Sequence, residues 1–164
     1  MSRGASLARP VTVALALAAL VSGCAANVAV VLDFPTSRAF DVSELVRIDV
    51  VRVASDELGS CPAVIDATLR AEPLDLALAL DDTNVCEVER GLALGDPGGG
   101  ALAFVAQVID DRNTVILVGC TIAEAYPGGP AVRIELYPTG DYTASAGRLA
   151  ETATRAGGTC GGGP

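Results

Sequence analysis

Between residues 27 and 137 the apolar residues recur at every second position, and this spacing constrains the fold more than any other feature. In residues 44–53, ELVRIDVVRV, Val46 and Ile48 fall on one face of an extended strand and Arg47 on the other. Successive side chains of a strand point to opposite faces, so the pattern predicts a strand with one buried face. Similar runs occupy residues 27–34, 74–80, 101–109, 114–122 and 131–137. In the last four runs, the residues predicted to share a face are Leu74, Leu76, Leu78 and Leu80; Leu102, Phe104, Ala106 and Val108; Ile116, Val118 and Cys120; and Val132, Ile134 and Leu136, which face inward.

Two of these runs, 101–109 and 114–122, are separated only by the polar residues DDRN. A short polar link between alternating runs predicts a β-hairpin. With Gly- and Pro-rich breaks such as AYPGGP, the pattern predicts an all-β domain over residues 27–138, an antiparallel β-sandwich of about six or seven strands. Only residues 62–70, PAVIDATLR, have helical character, so we expect at most one short helix.

The N-terminal segment has the organisation of an export signal. Two arginines precede the apolar run VTVALALAALV, which is eleven residues long. A helix that spans a bilayer needs about 20 apolar residues. Ser22 and Gly23 then lead directly into Cys24. These features predict a signal helix, residues 1–23, that is cleaved from the mature chain.

The segment LVSGC, residues 20–24, resembles the lipobox of bacterial lipoproteins. In that family a diacylglycerol is joined to the cysteine sulfur, the preceding peptide is removed and the new amino group is usually acylated. The resemblance implies that Cys24 is the lipidated first residue of the mature chain and that residues 24–26 form a short tether. Val21 departs from the leucine that the family most often has there. The alternative is an ordinary secretory signal whose Cys24 joins a disulfide.

The same resemblance implies a location in the cell envelope. Two or more acyl chains hold a protein stably on a bilayer. Ala25 follows the cysteine, where an aspartate usually signals inner-membrane retention in this family. In an organism with two membranes, the resemblance therefore favours the outer membrane over the inner one. The expected partners are the membrane, through the N-terminal lipid, and an envelope protein.

The mature chain is strongly acidic. Loss of Arg3 and Arg9 with the signal leaves nine basic against twenty acidic residues, a net charge of −11. This charge repels the phosphates of nucleic acids and anionic lipid headgroups, so no nucleic-acid partner is expected.

Four cysteines remain if Cys24 carries lipid, namely Cys61, Cys86, Cys120 and Cys160. An even number in an exported chain predicts two disulfides, and the sequence does not choose among the three pairings. The chain has no histidine and no C-x-x-C spacing, which disfavours structural zinc.

The residues that most enzymes use are missing from the sequence. Without histidine there is no catalytic triad, and there is no G-x-S-x-G nucleophile motif. The acidic pairs Asp81-Asp82 and Asp110-Asp111 fall at predicted turns, where aspartate commonly accepts hydrogen bonds from the local backbone. We therefore expect a protein that is not an enzyme and has no cofactor.

The predicted turns offer oxygen ligands that calcium accepts, although neither matches the EF-hand spacing. These weak calcium candidates are Asp81, Asp82 and Asn84 in one segment and Asp110, Asp111 and Asn113 in the other. A glycan site would need aromatic platforms, and the chain has only three Phe and three Tyr. The tyrosines, Tyr126, Tyr137 and Tyr142, lie near the C-terminal turns.

Residues 139–164 are small and Gly-rich, which predicts a flexible C-terminal tail, with a short helix over 144–155 left open. The block GALAFVAQVIDDRNTVILVGCTI, followed by AVRIELYP, resembles the closing strands of prealbumin-like or immunoglobulin-like sandwich modules of exported bacterial proteins. That resemblance implies a fold and a surface setting and carries no active site.

Three functional hypotheses follow. The first is a non-enzymatic envelope lipoprotein whose disulfide-stabilised sandwich has a structural or protein-interaction role. The second is a surface lipoprotein that binds calcium or a glycan. The third, least favoured, is a carboxylate-based hydrolase, which requires two acids that converge in one cleft.

Overall fold

The computed structural model describes residues 27–53, 60–89 and 92–152. The predicted signal helix, Cys24 with the predicted tether, and Cys160 lie outside these residues. Within them are seven strands and four short helices: β1 (Val28–Asp33), α1 (Ser37–Asp41), β2 (Leu45–Arg52), α2 (Cys61–Leu69), β3 (Leu76–Asn84), α3 (Val85–Glu89), β4 (Leu92–Leu94), β5 (Ala101–Ile109), β6 (Val115–Glu124), β7 (Val132–Pro138) and α4 (Tyr142–Thr152).

The seven strands form one sheet in the order β3-β2-β5-β6-β7-β1-β4. All neighbours are antiparallel except β1 and β7, which run parallel, with Val30 opposite Val132. The sheet is mixed and nearly barrel-shaped. The prediction of a mainly β domain is confirmed. The prediction of an antiparallel sandwich is not confirmed, because β1 runs parallel to β7 and the seven strands form one sheet.

The curled sheet has two ends, the hairpin end and the Asn27 end. The hairpin end is the end at which β5 turns into β6, and β1, β3 and β7 also finish there. The Asn27 end is the opposite one, at which β1, β3, β5 and β7 begin.

The main core lies on the inner face of the sheet. The predicted inward residues of β2 and β7, such as Ile48 and Ile134, are fully buried, as is Phe104 of β5. Their cluster also contains side chains from both edge strands, β3 and β4, and from α1 and α3. Burial of each large apolar side chain stabilises the fold by about 1.5–3 kcal/mol, so this shared core is what keeps the sheet curled.

The central strand β5 is buried on both faces, not only on the predicted one. Helix α2 packs across the outer face, where Val64 joins Val51, Ala103 and Val105 in a second, smaller cluster. The helix predicted over residues 62–70 is confirmed and runs from Cys61 to Leu69. A strand covered on both faces carries apolar residues at nearly every position, as the sequence of β5 does.

The prediction of at most one helix is wrong. Helices α1 and α3 are five residues long, too short to show a helical repeat in the sequence. Both begin at polar caps: Thr36 Oγ1 accepts a hydrogen bond from Ala39 N at 3.0 Å, and Asn84 Oδ1 accepts one from Cys86 N at 2.9 Å. Side-chain caps of this kind stabilise helix starts.

The strand predicted over residues 74–80 is displaced along the chain. The bulge in the β2–β3 pairing, between Val50 and Val51, breaks the predicted common face: Leu78 and Leu80 reach the main core, but Leu76 is exposed. β3 also continues through the Asp81-Asp82 pair, so the predicted turn at this position is wrong.

Strand β7 joins two parts of the sheet. Its first residues pair with β1 and its last residues pair with β6. Gly119 of β6 lies at this corner, where a Cβ would stand 2.8 Å from Ile134 Cγ2 and would also overlap the carbonyl group of Glu135. Only glycine permits this close approach of the two backbones.

The hairpin contains a bulge that changes the predicted facing of β6. Ile109 pairs with Val115 and Val108 with Leu117, so Ile116 is the extra residue. Ile116 and Leu117 consequently both enter the main core, while Cys120 faces α2. The single stripe predicted for Ile116, Val118 and Cys120 is therefore wrong.

The first part of the segment predicted as a tail forms α4. Arg38 donates a hydrogen bond to the carbonyl oxygen of Ala146 at 2.7 Å, and Ser145 is buried against the β5–β6 hairpin. Residues 153–164, which include the rest of the predicted tail, lie outside the described residues.

Candidate functional site

The cysteines are the predicted site residues that the structure brings together most directly. Cys61 and Cys120 form a disulfide, with their Cα atoms 5.5 Å apart, which confirms that the domain is disulfide-bonded. Cys86, in α3, is disulfide-bonded as well. Cys24 and Cys160 lie outside the described residues.

Local structure explains why Cys61 and Cys120 meet. Cys61 begins α2 just before Pro62, a residue that suits the first turn of a helix. Cys120 lies opposite Val105 in the β5–β6 ladder and shares its outer face. The disulfide therefore fastens the start of α2 to the sheet that the helix covers.

The first set of predicted calcium ligands lies along β3 and at the start of α3. Asp82 makes a two-pronged ion pair with Arg47, with nitrogen-to-oxygen distances of 2.9 and 3.0 Å. Asn84 caps α3, and the Asp81 carbonyl oxygen accepts a hydrogen bond from Thr83 Oγ1. Asp82 and Asn84 thus have protein partners in the strand and in the helix cap.

A groove of about 440 Å³ runs over the outer surface of β2 and β3. It is lined by Arg47, Asp49, Ala79, Leu80, Asp81 and Asp82. Burial raises the pKa of Asp49 above its ordinary value, and the neighbouring Arg47 guanidinium partly offsets that rise. Burial disfavours the charged form of a carboxyl group, which is why the pKa of Asp49 rises in this groove.

The second set of candidates lies at the β5–β6 hairpin, where the predicted turn is confirmed. Asp110 is buried, and its Oδ1 accepts hydrogen bonds from the backbone N–H groups of Arg112 and Thr114 at 3.0 and 2.9 Å. Its Oδ2 accepts a hydrogen bond from Ser145 Oγ at 2.7 Å. Asp110 therefore shapes the turn and also holds α4.

Next to this turn is a shallow groove of about 320 Å³. Its lining residues are Glu44, Leu45, Asp110, Asp111 and Asn113. Glu44 was not among the predicted site residues, and it reaches the groove because β2 begins beside the end of β5. Among residues 27–53, 60–89 and 92–152, no group of three or more His, Cys, Asp or Glu side chains is arranged to hold a metal ion.

At the Asn27 end, the turn predicted from AYPGGP is confirmed and forms a surface beside the start of β1. Tyr126, Pro127, Gly128 and Gly129 form a tight turn, closed by the hydrogen bond from Gly129 N to the Tyr126 carbonyl oxygen at 3.0 Å. Gly128 has the positive φ of 76° that this turn requires. Gly128 N also donates to the Asn27 carbonyl oxygen at 3.4 Å. The turn therefore lies beside the first described residue.

The Tyr126 side chain is 61% exposed. Its ring packs over Gly129, where a Cβ would stand 2.9 Å from Tyr126 Cε2. Tyr137 is also exposed but lies near the finish of β7, toward the hairpin end, and Tyr142 packs against the main core. The three tyrosines do not form one patch.

The chain was compared with known proteins in three ways. A scan against protein-family models, a search of curated proteins and a search of solved structures each found no match to this chain. In the part of the chain that the structure describes, no helix is long and apolar enough to cross a membrane.

Proposed function

We propose that this chain is a lipid-anchored protein of the cell envelope, whose disulfide-stabilised β domain has a structural or protein-interaction role and no enzymatic activity. The segment LVSGC, at the end of a short apolar run, carries the proposal. The anchor is a diacylglycerol on Cys24, and the outer membrane is the favoured location in an organism with two membranes.

The disulfides support an exported location. Disulfides persist in oxidising compartments such as the periplasm and the cell surface and are rare in the cytosol. The Cys61–Cys120 bond fixes a helix to the sheet, and Cys86 is oxidised as well. Oxidised cysteines at two separate places in one domain fit a protein that folds after export.

The number of cysteines also supports lipidation of Cys24. The chain has five, an odd number. Because Cys61 and Cys120 are bonded to each other, the bond at Cys86 takes either Cys24 or Cys160. A thioether to lipid at Cys24 leaves Cys160 for Cys86 and assigns each of the five cysteines a role.

A binding or structural role fits the way the acidic side chains are used. Asp82 pairs with Arg47, Asp33 with Arg133, and Asp75 with Arg52. Asp110 accepts hydrogen bonds from the turn that it shapes and from Ser145. These acids serve the fold, which supports a non-enzymatic role over a carboxylate-based hydrolase and over a calcium site at the hairpin.

Metabolic labelling with a palmitate analogue tests the anchor. The wild-type protein should become labelled and sediment with membranes, and Cys24→Ala should do neither, because the sulfur proposed to carry the lipid is gone. A Cys160→Ala variant is the matched control and should keep the label. Label on Cys24→Ala, or a purified native protein that retains residues 1–23, would refute the proposal.

Crosslinking on intact cells tests the interaction role. We expect a defined crosslinked species that contains a second envelope protein and persists when the anchor is intact. A domain that is monomeric and yields no crosslinked species at its native level would contradict this part of the proposal while leaving the anchor in place.

A further inference from the structure

We infer that the Tyr126–Gly129 turn lies against the bilayer, so that the domain is held with its Asn27 end toward the lipid and its hairpin end away from it. The inference rests on the proposed anchor at Cys24. It adds an orientation and a second contact to a protein that would otherwise be tethered at a single point.

The short tether keeps the start of β1 close to the membrane surface. Three peptide units separate Cys24 from Asn27, and an extended chain spans at most about 3.3–3.6 Å per residue, so the two Cα atoms are at most roughly 11 Å apart. A lipidated Cys24 lies at the membrane surface. The start of β1 must then lie within about two strand spacings of that surface, since neighbouring strands are roughly 4.8 Å apart.

The contacts of Asn27 and β1 identify which loops share this position. The Asn27 carbonyl oxygen accepts a hydrogen bond from Gly128, in the Tyr126–Gly129 turn. Val28 pairs with Leu94, which places the start of the loop over residues 95–100 on the other side of β1. These two loops therefore flank the strand that emerges from the anchor.

The composition of the two loops suits a lipid surface. Residues 95–100 and 125–131 contain one charged side chain, Asp96, which accepts a hydrogen bond from Gly98 N at 2.9 Å. One further acid, the exposed Glu124, ends β6 next to the second of these loops. Tyr126 presents a largely exposed aromatic ring, and tyrosine is enriched at membrane–water interfaces because its ring is apolar and its hydroxyl is polar. Such loops approach headgroups without the cost that buried charges carry.

The hairpin end has the opposite character. Residues 34–44, 110–114 and 139–141, which form connections at this end, carry two basic residues, Arg38 and Arg112, against five acids, Asp41, Glu44, Asp110, Asp111 and Asp141. In a mature chain with a net charge of −11, these acids would be repelled by anionic headgroups. Electrostatic repulsion at one end and an uncharged aromatic turn at the other favour the same orientation.

On the β3 side of the Asn27 end, the described acids are paired. Asp75 contacts Arg52 at 3.2 Å, and Glu72 contacts Arg70 at 2.9 Å. The β1 side adjoins the proposed anchor at Cys24 and carries Tyr126, so it is the part of this end that meets the lipid first.

A tryptophan scan tests the orientation directly, because the chain has no native tryptophan. The lipidated full-length protein is purified with either Tyr126→Trp or Tyr137→Trp and reconstituted into vesicles of phosphatidylethanolamine and phosphatidylglycerol that contain a nitroxide-labelled lipid. Tyr137 is the matched control, since it is 54% exposed and lies toward the hairpin end. We expect a blue shift and strong quenching for Tyr126→Trp, and neither change for Tyr137→Trp.

Flotation of the vesicles separates failure of the inference from failure of the anchor. Protein that floats with the vesicles but shows equal quenching at both positions, or greater quenching for Tyr137→Trp, overturns the orientation and leaves the anchor intact. Protein that does not float overturns both. The double variant Cys24→Ala/Tyr126→Trp, mixed with the same vesicles, supplies the emission of the unbound state.

Discussion

Replacing Cys61 and Cys120 together with alanine should lower the free energy of unfolding by about 4 kcal/mol. The bond closes a loop between positions that are 59 residues apart. In the chain-entropy account of crosslinks, a loop of this length lowers the entropy of the unfolded state by roughly 14 cal/mol/K, which gives that value at room temperature. In a domain of this size, the midpoint of thermal unfolding should fall by roughly 10–20 °C.

The structure also predicts which part of the domain loses stability when the disulfide is removed. Only Val64 and Ala67 of α2 are fully buried, so the helix has a small apolar contact with the sheet. Without the disulfide, α2 should open far more often than the central strands. Amide hydrogen exchange should therefore accelerate in α2 and much less in β5.

Urea unfolding followed by circular dichroism measures the loss in the domain without its signal peptide. Ser60→Ala is the matched control, because Ser60 adjoins Cys61 and its side chain makes no capping hydrogen bond. It should unfold at the wild-type midpoint. A loss below about 1 kcal/mol for the double cysteine variant would refute the entropic argument, since it would show that the crosslink hardly restricts the unfolded chain.

Three further substitutions test the β6–β7 corner, the β5–β6 hairpin and the groove over β2 and β3. Gly119→Ala should cost about 1–3 kcal/mol of unfolding free energy through overlap at the β7 corner, while Gly140→Ala, with open space around it, should be nearly neutral. Asp110→Ala should cost about 2–4 kcal/mol because the hydrogen bonds from Arg112 N, Thr114 N and Ser145 Oγ are lost, and Asp111→Ala should cost much less; equal losses would contradict the assigned role. The pKa of Asp49 is raised in the fold, so its carboxyl group favours folding while protonated, and this contribution is lost as pH rises through the folded-state pKa. Asp49→Asn should therefore gain stability relative to wild type at neutral pH but not in acid, and a pH-independent difference would contradict the role of burial.

Sequence patterns predicted the strands because apolar and polar residues alternate in a strand that has one buried face. Ile48, Phe104 and Ile134 were expected to face inward, and all three are fully buried. Alternation carries no information about the partner or direction of a strand. The parallel placement of β1 beside β7 depends on contacts between residues far apart in the chain, so it was not predictable from local spacing.

Local irregularities account for most other differences. The extra residue Ile116 reverses the facing of β6, and a bulge beside Val51 does the same for β3. The position of a bulge cannot be predicted from the spacing of apolar residues. Short helices are missed for a related reason, because five residues complete little more than one helical turn.

The candidate site was predicted in part. Oxidised cysteines and the turn role of Asp110 followed from residue type, since aspartate favours turns and paired cysteines mark exported chains. The turn in AYPGGP was expected, but its position beside the start of β1 was not, because that position depends on the hydrogen bond between Gly128 and Asn27, which no spacing reveals. The sequence did carry one usable signal, a tyrosine that leads directly into Pro127 and the two glycines.

The parallel pairing of β1 and β7 has a consequence for the order of folding. Arg133 of β7 forms a two-pronged ion pair with Asp33 of β1 across 100 positions of the chain. Of the described strands β1 is synthesised first, and it must wait for β7, the last, before its backbone hydrogen bonds to that strand are made. Synthesis from N- to C-terminus thus leaves the β7-facing edge of β1 unpaired, and open to chaperones, until almost the whole domain has been made.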